Sequence, residues 1–137
     1  MLAEQKQERT SDLDYRILVI DDYSPHLNLL NIWLGKNGFA VAVVTDVYEA
    51  IARINNERFD LVLTDICLHR LNGNILAQYV HSIHQGVPVV AVTASPFLAS
   101  NDFDLVLRKP YELEYLVRSL EHILAEYNQP GNDRPGI

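Results

Sequence analysis

Cysteine is almost absent from this chain. A single one, Cys67, leaves no partner for an internal disulfide and no multi-thiolate metal site, which favours a reducing, cytoplasmic setting. Glycine and proline are sparse as well, six of each in 137 residues, and that excludes collagen-like and low-complexity chains. No apolar run approaches the ~18–20 residues of a spanning helix. The longest nearly uncharged stretch is only Val87 to Ala99, and the opening MLAEQKQERTSD lacks the apolar core of a secretory signal. No membrane is expected among the partners. Positive charge is short too: eleven Lys and Arg stand against eighteen Asp and Glu, a formal charge of −7. Without a broad basic face to hold a phosphate backbone, nucleic acid is not an expected partner either.

What is present is a globular composition, 48% apolar and 21% charged, in a chain long enough to bury a core without staples. Residues 1–13 read as a polar N-terminal arm, 14–127 as the domain, and 128–137 as a flexible tail rich in Pro, Gly and Asn. The leading Met and this tail suggest a complete short chain with no output domain attached.

Five short runs punctuate the domain: Ile17–Ile20, Val41–Val44, Leu61–Leu63, Val89–Val92 and Leu105–Leu107. Each is apolar throughout instead of alternating, the pattern of a strand buried on both faces of a parallel sheet. Between them lie segments of helical period. Ser24-Pro25 supplies an expected N-cap and N1 proline ahead of Leu27, Leu30, Trp33 and Leu34, with Gly38 closing the helix. Val47, Ala50 and Ile54 make a second face, Leu76, Tyr79, Val80 and Ile83 a third, and Leu113 to Leu124 the last and strongest. Strand and helix in alternation define a doubly wound α/β domain, whose ligands sit at the carboxyl ends of the strands.

The residues at those ends carry the chemistry. The first strand runs into Asp21-Asp22, the third into Asp65, the fourth into Thr93 and the fifth into Lys109-Pro110. Two unit charges of like sign at 4 Å repel by about 1 kcal/mol in water and by more when partly buried, so three carboxylates on one rim call for a cation. Oxygen ligands without His or Cys suit Mg²⁺, which pairs with phosphate oxygens; a hydroxyl and a lysine beyond the metal could hold the rest of a phosphoryl group.

Together these stretches, ILVIDD at 17–22, DLVLTD at 60–65 with Gly73 eight residues on, VPVVAVTA at 87–94 and LRKP at 107–110, resemble the receiver domain of two-component response regulators. The resemblance implies a five-stranded, flavodoxin-like sheet of order 2-1-3-4-5. It implies that Asp65 is the phosphoacceptor, attacking a phosphohistidine of a histidine kinase or histidine phosphotransfer protein, or a small acyl phosphate. Asp21, Asp22, Asp65 and the backbone carbonyl of Cys67 would hold Mg²⁺, Thr93 and Lys109 would bind phosphoryl oxygens, and Pro110 would follow a cis peptide bond. The protein would then be a signalling phosphoacceptor and not an enzyme acting on other molecules, passing its change to a downstream protein partner.

Departures from the pattern accompany the match. His69 stands where the family usually has proline, and Val106 where it usually has the Tyr or Phe that swings on phosphorylation. Only Ser95 to Asp104 is left for the fourth crossover, so the fourth helix of the succession is expected to be cut to one or two turns, weakly anchored by Phe97, Leu98 and Phe103. These departures keep in play a pseudo-receiver that binds partners without phosphorylation. An aspartate-nucleophile phosphatase is disfavoured, because two aspartates flanking one residue after the first strand, and room for a cap, are missing. His81 and His84 lack a second ligand pair and read as solvated helix residues, Cys67 as a small apolar filler, and the scattered tyrosines and Trp33 as core and rim packing.

Overall fold

The computed structural model describes residues 15–68 and 72–128. The elements in chain order are β1 (Arg16–Ile20), α1 (Ser24–Lys36), β2 (Ala40–Val44), α2 (Val47–Asn56), β3 (Leu61–Asp65), α3 (Gly73–Ile83), β4 (Val89–Thr93), a 3₁₀ turn (Pro96–Leu98), β5 (Leu105–Arg108) and α4 (Leu113–Tyr127). All strand pairs are parallel and the order is β2-β1-β3-β4-β5, as the family resemblance implied.

Side chains alternate across the sheet and divide the interior in two. Ile17 and Val19 of β1, Leu61 and Leu63 of β3 and Val90 and Val92 of β4 face α1 and α4, where Leu30, Leu34, Leu116 and Leu120 are fully buried. Leu18, Ile20 and Val62 face α2 and α3 together with Ala50, Leu76 and Val80. Strands covered on both faces must be apolar at every position, which is why their runs do not alternate.

The helix ends follow ordinary capping chemistry, with one correction. Asp46 accepts the Glu49 N–H at the start of α2, and Asn72 accepts the Asn74 N–H at the start of α3. Ser24, expected as an N-cap, is instead the first residue of α1; Tyr23 holds the cap position and no side chain bonds there. At the other end Gly38 takes φ 95°, the left-handed conformation. Gly38 N–H then reaches the Gly35 carbonyl and Phe39 N–H the Leu34 carbonyl, closing the helix as a left-handed glycine allows.

The β4–β5 crossover contains only the Pro96–Leu98 turn, so the expected shortening is present and more severe than one or two turns of α-helix. Asn74 of α3 braces it like an added peptide group: its Nδ2 donates to the Leu98 carbonyl at 2.9 Å, and its Oδ1 accepts the Ser100 N–H at 2.9 Å. Phe97 is 85% exposed, whereas Phe103 packs against the α2–α3 side of the core.

Among the described residues no helix is long and apolar enough to cross a membrane. The N-terminal arm, residues 129–137 of the tail, and His69 lie outside the described residues.

Candidate functional site

Strand register brings the expected residues together. Ile20 of β1 pairs with Thr64 of β3, so Asp21 and Asp65 follow side by side. The β4–β5 ladder continues past its end, where Lys109 N–H donates to the Thr93 carbonyl at 2.8 Å. Both carboxylates are buried, Asp21 at 1% exposure and Asp65 at 9%, while Asp22 beside them is exposed.

Each buried carboxylate is committed to internal partners. Lys109 Nζ lies 2.9 Å from Asp65 Oδ2, and Cys67 N–H donates to Asp65 Oδ1 at 3.1 Å. Asp21 Oδ1 accepts the Tyr23 N–H at 2.9 Å, and Asp21 Oδ2 accepts from His26 Nδ1. Burial pushes the Asp21 carboxyl up, but the His26 bond, the Tyr23 N–H and the charges of His26 and Lys109 together hold it below the ordinary value. It is therefore ionised, accepts only, and leaves the proton on His26 Nδ1. The other ring nitrogen, Nε2, lies 2.6 Å from the Tyr111 hydroxyl. Burial pushes that phenol up, and the negative charges of Asp21 and Asp65 push it further, so Tyr111 stays protonated.

The remaining rim residues are set by backbone needs. Thr93 is fully buried, and its Oγ1 accepts the Ser95 N–H at 3.0 Å, which leaves the hydroxyl proton available to an acceptor above the sheet. Gly73 opens α3 against the end of β3: its N–H donates to the Ile66 carbonyl at 2.8 Å, and a Cβ there would sit 2.3 Å from the Asp65 carbonyl oxygen. Only glycine lets α3 start this close to Asp65. The Lys109–Pro110 peptide is cis. Val106, three residues before the lysine, is half-buried on β5 opposite Ala91.

Some readings need correction. Cys67 is exposed and is not a core filler; its backbone N–H, not its thiol, serves the site. Tyr23, Tyr48 and Tyr115 are each more than half exposed, beyond what rim packing requires. His26 and Tyr111 were passed over as site residues. The available signal was position: His26 stands one helical turn beyond Asp22, and Tyr111 two residues beyond Lys109. Among the described residues no three His, Cys, Asp or Glu side chains converge in metal-coordinating geometry.

The chain belongs to the response regulator receiver domain family, whose model matches residues 17–121. Among curated relatives, the response regulator MprA of Mycobacterium sp. (strain KMS) is 32% identical over 129 residues, covering 89% of this chain and 56% of MprA. The chain spans only 28% of the transcriptional regulatory protein ZraR of Salmonella typhimurium, to which it is 27% identical over 87% of its own length. In three dimensions it is similar to a CheY-like receiver domain protein from Methanospirillum hungatei, with TM-score 0.79 and 28% identity, over 86% of this chain and 99% of the other.

Proposed function

We propose that the protein is a phosphoacceptor of a two-component or phosphorelay system, with Asp65 as the acceptor. A carboxylate oxygen of Asp65 attacks the phosphorus of a phosphohistidine on a histidine kinase or histidine phosphotransfer protein; the P–N bond breaks and imidazole leaves with its electron pair, to be protonated. Lys109 neutralises charge on the transferred group and Thr93 donates its hydroxyl proton to a phosphoryl oxygen. The oxygen-only donors fit Mg²⁺, and Asp21, Asp22, Asp65 and the Cys67 carbonyl are the residues that would hold it. Bound there, Mg²⁺ supplies positive charge to the phosphoryl oxygens. The phosphorylated protein then signals to a protein partner in the cytoplasm.

The observation that supports this reading most directly is the pair Lys109–Asp65 at 2.9 Å, beside a second buried carboxylate on the neighbouring strand. A lone structural ion pair has no need of the ionised, buried Asp21 next to it. Intact mass after incubation with acetyl phosphate and Mg²⁺ tests the reading. The wild-type chain gains one phosphoryl group and Asp65→Asn gains none; equal labelling of both, or of neither, overturns the assignment.

A further inference from the structure

We propose that His26 and Tyr111 couple occupancy of the acidic site to the edge of the molecule formed by α1 and the start of α4. The inference rests on the phosphoacceptor reading above and names how that site is read out.

The turn Lys109-Pro110-Tyr111 is fastened to both buried carboxylates of the site. Its first residue holds Asp65 through the 2.9 Å ion pair, and its third holds Asp21 through His26. Nδ1 of the ring faces Asp21 Oδ2 and Nε2 lies 2.6 Å from the Tyr111 hydroxyl, so the three groups form one continuous hydrogen-bonded chain. That chain bridges 85 residues between His26 and Tyr111 and joins α1 to the segment leading into α4. Two helical turns further along α1, Trp33 Nε1–H donates to the Leu113 carbonyl at 3.2 Å. The segment leading into α4 is thus tied to α1 at Tyr111, and the first residue of α4 again at Leu113.

A ligand that takes an Asp21 oxygen draws charge from the His26 bond, and one that draws Lys109 from Asp65 to a phosphoryl oxygen opens the ion pair; either loosens one of these fastenings. Each loosening arrives at residues 109–111 and from there at the α1–α4 junction. The Val106 side chain has no polar atom with which to follow the same event, and the adjoining crossover is held by Asn74 through Leu98 and Ser100. Neighbouring metal-bound carboxylates in general are oriented by hydrogen bonds from beyond the coordination shell. His26 occupies that position toward Asp21, and Tyr111 extends it to the edge. Both are positioning residues, acting through Asp21.

Trp33 is the only tryptophan in the chain, and its indole N–H sits on the junction in question. Its emission, followed in the full-length chain during titration with MgCl₂ and then with beryllofluoride in the presence of Mg²⁺, reads the coupling directly; calorimetry of the same additions reads binding. Wild-type protein binds both and shows a saturable change in Trp33 emission. Tyr111→Phe removes one hydroxyl and leaves the ring in place: it still binds both probes but loses most of the emission change. His26→Gln breaks the same chain from the α1 side and loses it too, which provides the answer should Tyr111→Phe fail to fold. Binding with an undiminished Trp33 response in either folded variant overturns the coupling and leaves the phosphoacceptor reading intact, as does wild-type binding with no response at all. Absence of Mg²⁺ and beryllofluoride binding to wild type overturns the phosphoacceptor reading and this inference with it.

Discussion

The two ends of the sheet treat charge in opposite ways. At the amino end, Glu57 is shared by two arginines: Arg16 Nη2 and Arg53 Nη2 each lie 3.0 Å from its Oε1. Both guanidinium groups lie over the Phe59 ring, at 4.7 and 6.0 Å from its centroid, and Asp60 accepts the Arg16 N–H. Positive and negative groups are matched there. At the carboxyl end Asp21, Asp22 and Asp65 crowd one rim with Lys109 as the cation paired to Asp65. Matched charges close a surface and hold a fold in register; an acidic excess kept in place by strand register leaves attraction over for a ligand. The same sheet thus carries a charge-matched end and an acidic end, distinguished by charge balance.

That contrast breaks most visibly with metal. Mg²⁺ at 100 times its dissociation constant should stabilise wild type by about 2.7 kcal/mol. Asp65→Asn should lose most of this, whereas Glu57→Gln at the opposite end should retain it in full; thermal melts with and without MgCl₂ decide the matter, and equal losses in the two variants would erase the distinction between the ends.

Next in size is Gly73→Ala. The new Cβ meets Asp65 backbone oxygen at 2.3 Å and the Ile66 Cα at 3.1 Å, neither able to swing aside, so urea unfolding should show a loss of about 1–3 kcal/mol. Because the clash falls on the peptide of Asp65, the proposed acceptor, labelling by acetyl phosphate should slow as well.

Asn74→Ala should cost about 1 kcal/mol for two hydrogen bonds at a partly exposed position. The effect stays local: hydrogen exchange should accelerate at Ser100, whose N–H loses its acceptor, while amides of β3 exchange as before. Unchanged exchange at Ser100 would mean the crossover stands without this brace.

The smallest effect concerns acid. The two arginines hold Glu57 at about 2, against an ordinary 4.5. A carboxyl lowered on folding adds stability that is complete above its unfolded value and is lost as pH falls through the folded one. Glu57→Gln should therefore flatten the stability profile between pH 4.5 and about 2, its loss being complete above pH 4.5, vanishing at the acid end and small throughout because the group is solvent-screened. Asp21, also lowered, adds a limb of the same sign at the other end of the sheet. An acid limb identical to wild type in Glu57→Gln would show that Glu57 is not held by the arginines in solution.

How much of this was legible beforehand follows from where each property is encoded. Strand positions and the rim of Asp21, Asp65, Thr93 and Lys109 were readable because a parallel crossover sends every strand end to one edge, whatever the spacing along the chain. The truncated crossover was readable as a plain shortage of residues between Thr93 and Lys109. Ser24 was misplaced because Ser-Pro suits both an N-cap with N1 proline and the first two helical positions, and local pattern does not choose between them. His26 and Tyr111 escaped notice because their bond spans most of the chain, and neither residue type at its position has a periodicity to betray it. Cys67 was misjudged because burial of a residue just past a strand depends on the path of the following loop.

One consequence belongs to β2. Ala40–Val44 is an outer strand of the sheet, paired among the described residues only with β1, and it carries no charge and no proline. Four of its five side chains are not fully buried, and among the described residues no strand pairs with its outer border. β5 at the opposite border ends in exposed Arg108, a charge of the kind that discourages a second chain from adding on. When the protein is concentrated or partly unfolded, β2 is therefore where strand addition is expected to start, and a lysine in place of the exposed Ala40 is the economical guard against it, since Val41 and Val43 pack against the core.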